Sequence, residues 1–113
     1  MPFIHFSTTK QLSPDQKAGL AAQIAERVKL LPDKPPEKTM IRIDTECDIY
    51  RNGAIADCAF MQTIFKAPLP VEAQREYIEA LYALFKKSLG LDTPQVYFAM
   101  VDLDTWGSRG TLH

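Results

Sequence analysis

The chain opens on an alternation. In PFIHFST, residues 2–8, Ile4 and Phe6 fall on one side and Phe3, His5 and Ser7 on the other, the period of a strand with one buried face. The period then changes. In LSPDQKAGLAAQIAERVKLL, residues 12–31, Leu20, Ala21, Ile24, Ala25, Val28 and Leu31 recur at helical spacing and predict one apolar stripe. Ser13 is placed to cap that helix, Pro14 to take its first position and Gln16 to close a capping box. Three prolines in LPDKPPEK, residues 31–38, end it. TMIRIDTE, residues 39–46, then alternates again, with Ile41 and Ile43 on one face and Met40, Arg42 and Asp44 on the other.

The second half repeats this order. CDIYRNGAIAD, residues 47–57, carries Asn52-Gly53, a dipeptide that favours a tight primed hairpin turn. IADCAFMQTIF, residues 55–65, reads as a long strand. KAPLPVEAQREYIEALYALFKKSLG, residues 66–90, reads as the second helix, with Ile78, Leu81, Tyr82, Phe85 and Leu89 as its buried stripe. Lys86 and Lys87 complement the helix dipole in the last turn, and Gly90 suits the position after it. TPQVYFAMVDLD, residues 93–104, returns as a strand, and WGSRGTLH, residues 106–113, has no clear period.

Strand, helix, strand, twice over, predicts an α+β fold. Two βαβ repeats would form a four-stranded mixed sheet with two helices on one face. Parity assigns Met40, Arg42, Met100 and Asp102 to the uncovered face, and a face of that kind is often buried by oligomerisation.

Composition narrows the class. The 113 residues suit one domain spanning 1–113. With 13 basic and 14 acidic residues the net charge is −1, so a phosphate-driven nucleic-acid footprint is not expected. No apolar run approaches the ~20 residues of a membrane span. The expectation is a cytoplasmic protein without a membrane partner, a leaderless export route staying open. Cys47 and Cys58 form no C-x-x-C and have no histidine at ligand spacing. They are read as reduced thiols buried on strands, and no metal or cofactor is expected.

The remaining signal is chemical. Pro2 directly follows the initiator methionine, DKPP stands at 33–36, QTIFK at 62–66, TPQVYF at 93–98 and VDLDTWG at 101–107. In this order and spacing the chain resembles the macrophage migration inhibitory factor family of the tautomerase superfamily. The resemblance implies a homotrimer with an active site at each subunit interface. It implies an isomerase, a keto–enol tautomerase acting on a small carbonyl substrate, an α-keto acid of the phenylpyruvate type. Pro2, freed by removal of Met1, would be the acid/base. Such a group works best with a pKa near the operating pH. An α-amine starts at about 7.7–8.0, and burial lowers it further.

By the same resemblance, Lys34 would hold the substrate carboxylate or the developing enolate. Ile64 would line the pocket with its backbone. Tyr97 would be contributed across the interface as an aromatic wall or hydroxyl donor, and Trp106 would close the pocket. Pro2, Lys34, Ile64 and Tyr97 also have plain structural readings: a strand start, a solvated loop lysine, a core isoleucine and a packed tyrosine. Three positions depart from the family pattern. Ala99 stands where an asparagine donor is typical, Lys38 where an aromatic is common, and DCAFM replaces the redox C-x-x-C of some members. Two other readings stay open. One is a non-catalytic, trimeric, cytokine-like signalling or partner-binding protein. The other is a dimeric ferredoxin-like domain with no catalytic terminus.

Overall fold

The computed structural model describes residues 2–113. Met1, and with it the expected trimming of Met1, lies outside the described residues.

The predicted order holds. Strand β1 (Phe3–Thr8) leads into helix α1 (Pro14–Val28) and strand β2 (Met40–Asp44). A short hairpin follows, β3 (Tyr50–Arg51) and β4 (Ala54–Ile55). Then come β5 (Ala59–Lys66), α2 (Val71–Leu89) and β6 (Val96–Leu103). The patternless tail is a second hairpin, β7 (Gly107–Ser108) with β8 (Thr111–Leu112).

Local chemistry sets the helix ends. The Gln16 N–H donates to Ser13 Oγ at 3.1 Å, and the Ser13 N–H donates to Gln16 Oε1 at 2.8 Å, so two N–H groups that the first turn leaves free are satisfied. Helix α2 stops at Gly90, whose φ of 66° is left-handed, a conformation glycine adopts without strain. Asn52 and Gly53, at φ 52° and 78°, give the β3–β4 hairpin its turn, as the dipeptide predicts.

The four long strands lie in the order β2-β1-β5-β6. β1 is parallel to β2, β5 is parallel to β6, and β1 and β5 are antiparallel. This is the mixed sheet of two βαβ repeats. Ile4, Phe6, Met61, Phe65 and Val96 are buried in one cluster with Leu20, Ile24 and Val28 of α1 and Tyr77, Leu81, Leu84 and Phe85 of α2. Both helices therefore cover the same sheet face. Two buried hydroxyls are satisfied inside it. Thr8 Oγ1 donates to the Cys58 carbonyl at 2.9 Å, and Thr63 Oγ1 pairs with Tyr77 Oη at 2.8 Å.

The structure corrects three details. The register pairs Thr63 with Met100 and Phe65 with Asp102, and directly opposed residues share a face. Met100 and Asp102 thus belong to the helix side; Asp102 is exposed because it sits near the strand end. The uncovered face of β6 carries Tyr97, Ala99, Val101 and Leu103. The α2 stripe is rotated to include Tyr77 and Leu84, with Ile78, Tyr82 and Leu89 at its margin. Neither cysteine is on a strand: Cys58 is buried just ahead of β5, and Cys47 is half-buried in the loop after β2.

Candidate functional site

Register places Pro2 and Ile64 at one end of the sheet, and the segments that carry Lys34 and Trp106 lead into and out of that end. Pro2 is buried one residue ahead of β1. Its carbonyl accepts from the Met40 N–H at 3.3 Å, which ties the Lys34–Thr39 loop to the start of β1. Phe3 stands opposite Ile64 on β5, and Ile64 stands opposite Val101 on β6. Just beyond, the Ala67 N–H donates to the Leu103 carbonyl at 2.9 Å. The chain leaves this corner toward Trp106.

Lys34 is half-buried beside Leu31, Asp33, Pro35 and Pro36, which with Lys29 line an open hollow of about 420 Å³. The turn is tight: the Lys34 N–H donates to the Leu31 carbonyl, and Asp33 takes a left-handed φ of 60°. No carboxylate among the described residues pairs with the Lys34 ammonium. Ile64 is half-buried on the uncovered face. Trp106, also half-buried, closes the tail hairpin, donating to the His113 carbonyl at 3.0 Å and accepting from the His113 N–H at 2.7 Å.

Tyr97 is elsewhere. It stands opposite Phe60, and Phe60 stands opposite Ser7. From the row of Phe3 to the row of Ser7 is four residues, about 13 Å along the strands. Within one protomer Tyr97 therefore does not reach Pro2. Its surroundings are distinctive. The Arg51 Nη2–H donates to Tyr97 Oη at 2.9 Å and the Arg51 Nη1–H to the Pro94 carbonyl at 2.6 Å. The guanidinium carbon lies 5.1 Å from the Tyr97 ring centroid, within cation–π reach. Arg51 carries no signal in the sequence beyond its place ahead of the Asn-Gly turn. The turn fixes the hairpin but not the strand against which it rests.

Between the two ends, the uncovered face holds a charged group. His5 Nε2 lies 2.7 Å from Asp44 Oδ2, and Arg42 Nε lies 3.2 Å from the same oxygen. The hydrogen bond from His5 and the charge of Arg42 hold the Asp44 carboxyl below its ordinary range. Arg42 and Asp44 are thus an ion pair two residues apart on one strand face. His5 points away from Pro2's side of the strand and is occupied by Asp44. Ala99, opposite Gln62 on the uncovered face, offers no side-chain donor there. Among the described residues there is no cluster of His, Cys, Asp and Glu able to hold a metal. None of the described helices is long and apolar enough to cross a membrane.

No family model matches the sequence, and no curated protein matches it either. Solved structures do. A MIF2 from Leishmania major superposes with a TM-score of 0.88 at 18% identity, over 100% of this chain and 97% of its own. A fused 4-OT described as an asymmetric trimer gives 0.84 at 15% identity, over 96% and 94%. A protein inactivated by 2-oxo-3-pentynoate gives 0.80 at 16% identity, over 89% and 85%. Two βαβ repeats on one mixed sheet, matched end to end at these scores, identify the fold of this chain as that of the macrophage migration inhibitory factors and of 4-OT.

Proposed function

We propose that the protein is a keto–enol tautomerase acting on a small α-keto acid of the phenylpyruvate type, with Pro2 as acid/base. The observation that supports this reading is the burial of Pro2 at a sheet end shared with Ile64, to which the loop carrying Lys34 is tied through Met40. A secondary amine at that place, free once Met1 is trimmed, would lose hydration and with it stability of the charged form. The neutral nitrogen would take a proton from the carbon beside the ketone and return it to the oxygen of the resulting enolate. Lys34 would stabilise the negative oxygen as it develops.

Tyr97, the expected aromatic wall, lies four rows away on the same protomer. The fold match to a trimeric 4-OT supports a homotrimer in which Tyr97 comes from the neighbouring protomer. The match to a protein inactivated by a 2-oxo acid supports an α-keto acid substrate.

The test has three arms. The intact mass should lack one methionine. Size measured by light scattering should be that of a trimer. UV-monitored ketonisation of enol phenylpyruvate should fall at least ~100-fold in a Pro2→Ala variant, the range of general acid–base contributions. Because the free amine must be neutral to accept a proton, wild-type kcat/KM should fall as pH drops through the Pro2 pKa. That limb should lie below the α-amine reference of about 7.7–8.0. Equal rates for wild type and Pro2→Ala would remove Pro2 from the mechanism. Ala99 favours the alternative of a non-catalytic trimeric partner-binding protein, which a trimer with no activity would establish.

A further inference from the structure

Burial is one way to keep an amine uncharged; a cation beside it is another. The antiparallel pairing of β1 with β5 sets Phe3 opposite Ile64. Pro2 directly precedes Phe3, and Lys66 lies two residues beyond Ile64. Because the strands run in opposite directions, Phe65 comes alongside Pro2. Lys66 comes just beyond, on the side toward which the Pro2 nitrogen lies. Opposed backbones in such a ladder are about 5 Å apart, and lysine carries its charge on a flexible four-carbon stem. The Lys66 ammonium and the Pro2 nitrogen therefore fall within the ~10 Å at which charges still feel each other in 0.1 M salt.

Lys66 is half-buried, and its partner across the sheet on β6 is Leu103, which offers no charge. It enters none of the six ion pairs among the described residues. The other charged groups on the segments around Pro2 do not offset it. In the loop tied to β1 through Met40, Lys34 is half-buried, and Asp33, Glu37 and Lys38 are exposed. Asp102 stands opposite Phe65 on the helix side and is exposed, as is Asp104 beyond the strand. At the start of α2, Glu72 is paired with Arg75. In the tail, Arg109 and His113 lie beside each other. The half-buried charges of these segments, Lys34 and Lys66, are both positive.

We infer that Lys66 is a positioning residue of the proline chemistry: its ammonium, just beyond Pro2 on the adjoining strand, disfavours protonation of the Pro2 nitrogen and keeps it ready to take a proton from carbon. The inference rests on the reading of Pro2 as a free, buried amine.

The experiment follows the nitrogen chemical shift of isotopically labelled Pro2 against pH in the ligand-free full chain, beside the pH profile of kcat/KM for enol phenylpyruvate. Lys66→Met keeps an unbranched stem and removes the charge. It should raise the pH at which Pro2 takes up its proton by about 0.5–1 pH unit, and the acid limb of kcat/KM should move up with it. Lys66→Arg keeps the charge and should titrate as wild type does. Lys87→Met makes the same change of net charge about 24 Å along α2 from its start, and should leave Pro2 unmoved. Added salt should raise the wild-type value and narrow its distance from Lys66→Met. Should Lys66→Met fail to fold, Lys66→Gln and the salt dependence of wild type decide in its place. A Pro2 titration that moves in Lys66→Met without any tautomerase activity keeps this inference and removes the tautomerase reading. A titration unmoved in Lys66→Met, or moved as far by Lys66→Arg or Lys87→Met, overturns the inference and leaves the tautomerase reading in place. A chain that retains Met1 has no amine at Pro2 and overturns both, which the intact mass reports.

Discussion

The two faces of the sheet are built from the same strands and do opposite work. On the helix side, Ile4, Phe6, Met61 and Thr63 are at 0% exposure. Every polar atom noted there, from Thr8 to Tyr77, has a partner. On the other side, Met40 is 72% exposed and Tyr97 55%, and the chemistry is mixed: His5, Arg42 and Asp44 form a charged group between apolar neighbours. One residue's step along a strand moves a side chain from the first environment to the second. The covered face thus carries the fold's stability. The uncovered face, with the sheet ends that border it, is free to carry association and recognition.

The sharpest way to break this contrast is a cavity in the covered face. Phe85 is fully buried, with its ring 4.8 Å from that of Phe6 and 6.0 Å from that of Phe98. Phe85→Ala should cost about 3–5 kcal/mol, measured as a drop in the free energy of denaturant unfolding. A cost below about 1 kcal/mol, the range of volume-conserving swaps, would mean that the core collapses around the gap and that the face is less tightly packed than its burial implies.

A smaller effect is expected from the polar pair inside the same core. Burial pushes the Tyr77 phenol above its ordinary range, only partly opposed by the hydrogen bond to Thr63. Tyr77→Phe keeps the ring and leaves Thr63 Oγ1 buried without its partner, at about 1–3 kcal/mol. Replacing both, Tyr77→Phe with Thr63→Val, should recover part of that loss, because no orphaned hydroxyl remains. A double variant as unstable as the sum of its singles would show that the hydrogen bond contributes nothing of its own.

These covered-face residues also mark how far the sequence could be read. Local chemistry was legible: Ser13, Gln16, Asn52-Gly53 and Gly90 all do in the structure what their types dictate. Strand pairing was less so. Met100 and Asp102 alternate as well with either face, and only the register against Thr63 and Phe65 decides between them. Tyr77 and Leu84 escaped the α2 stripe because Ile78 and Leu89 fit a helical period just as well. The site divides in the same way. Pro2 and Lys34 stood out through a family resemblance, but what ties the loop after Lys34 to the start of β1 is the Met40–Pro2 hydrogen bond between residues 38 positions apart. Arg51 on Tyr97 joins positions 46 apart, and nothing local announces it.

The smallest predicted effect lies on the uncovered face. Asp44 is held below its ordinary range first by the hydrogen bond from His5 and then by Arg42, with the Ser7 hydroxyl 3.4 Å from the same imidazole nitrogen. A carboxyl whose folded pKa is lowered binds its proton more weakly folded than unfolded. Its contribution is therefore complete above the unfolded value of about 3.9 and is lost as pH falls through the folded value. Asp44→Asn should lower the Tm slightly at neutral pH, and the two melting curves should converge below about pH 4. The group is solvent-accessible, so added salt should shrink the gap at neutral pH as screening weakens the Arg42 attraction. A gap that instead grows with acidification would assign the acid sensitivity to another carboxylate. A gap as large as that of Tyr77→Phe would mean that this face is covered in solution, since only exclusion of water gives such a group core-like weight.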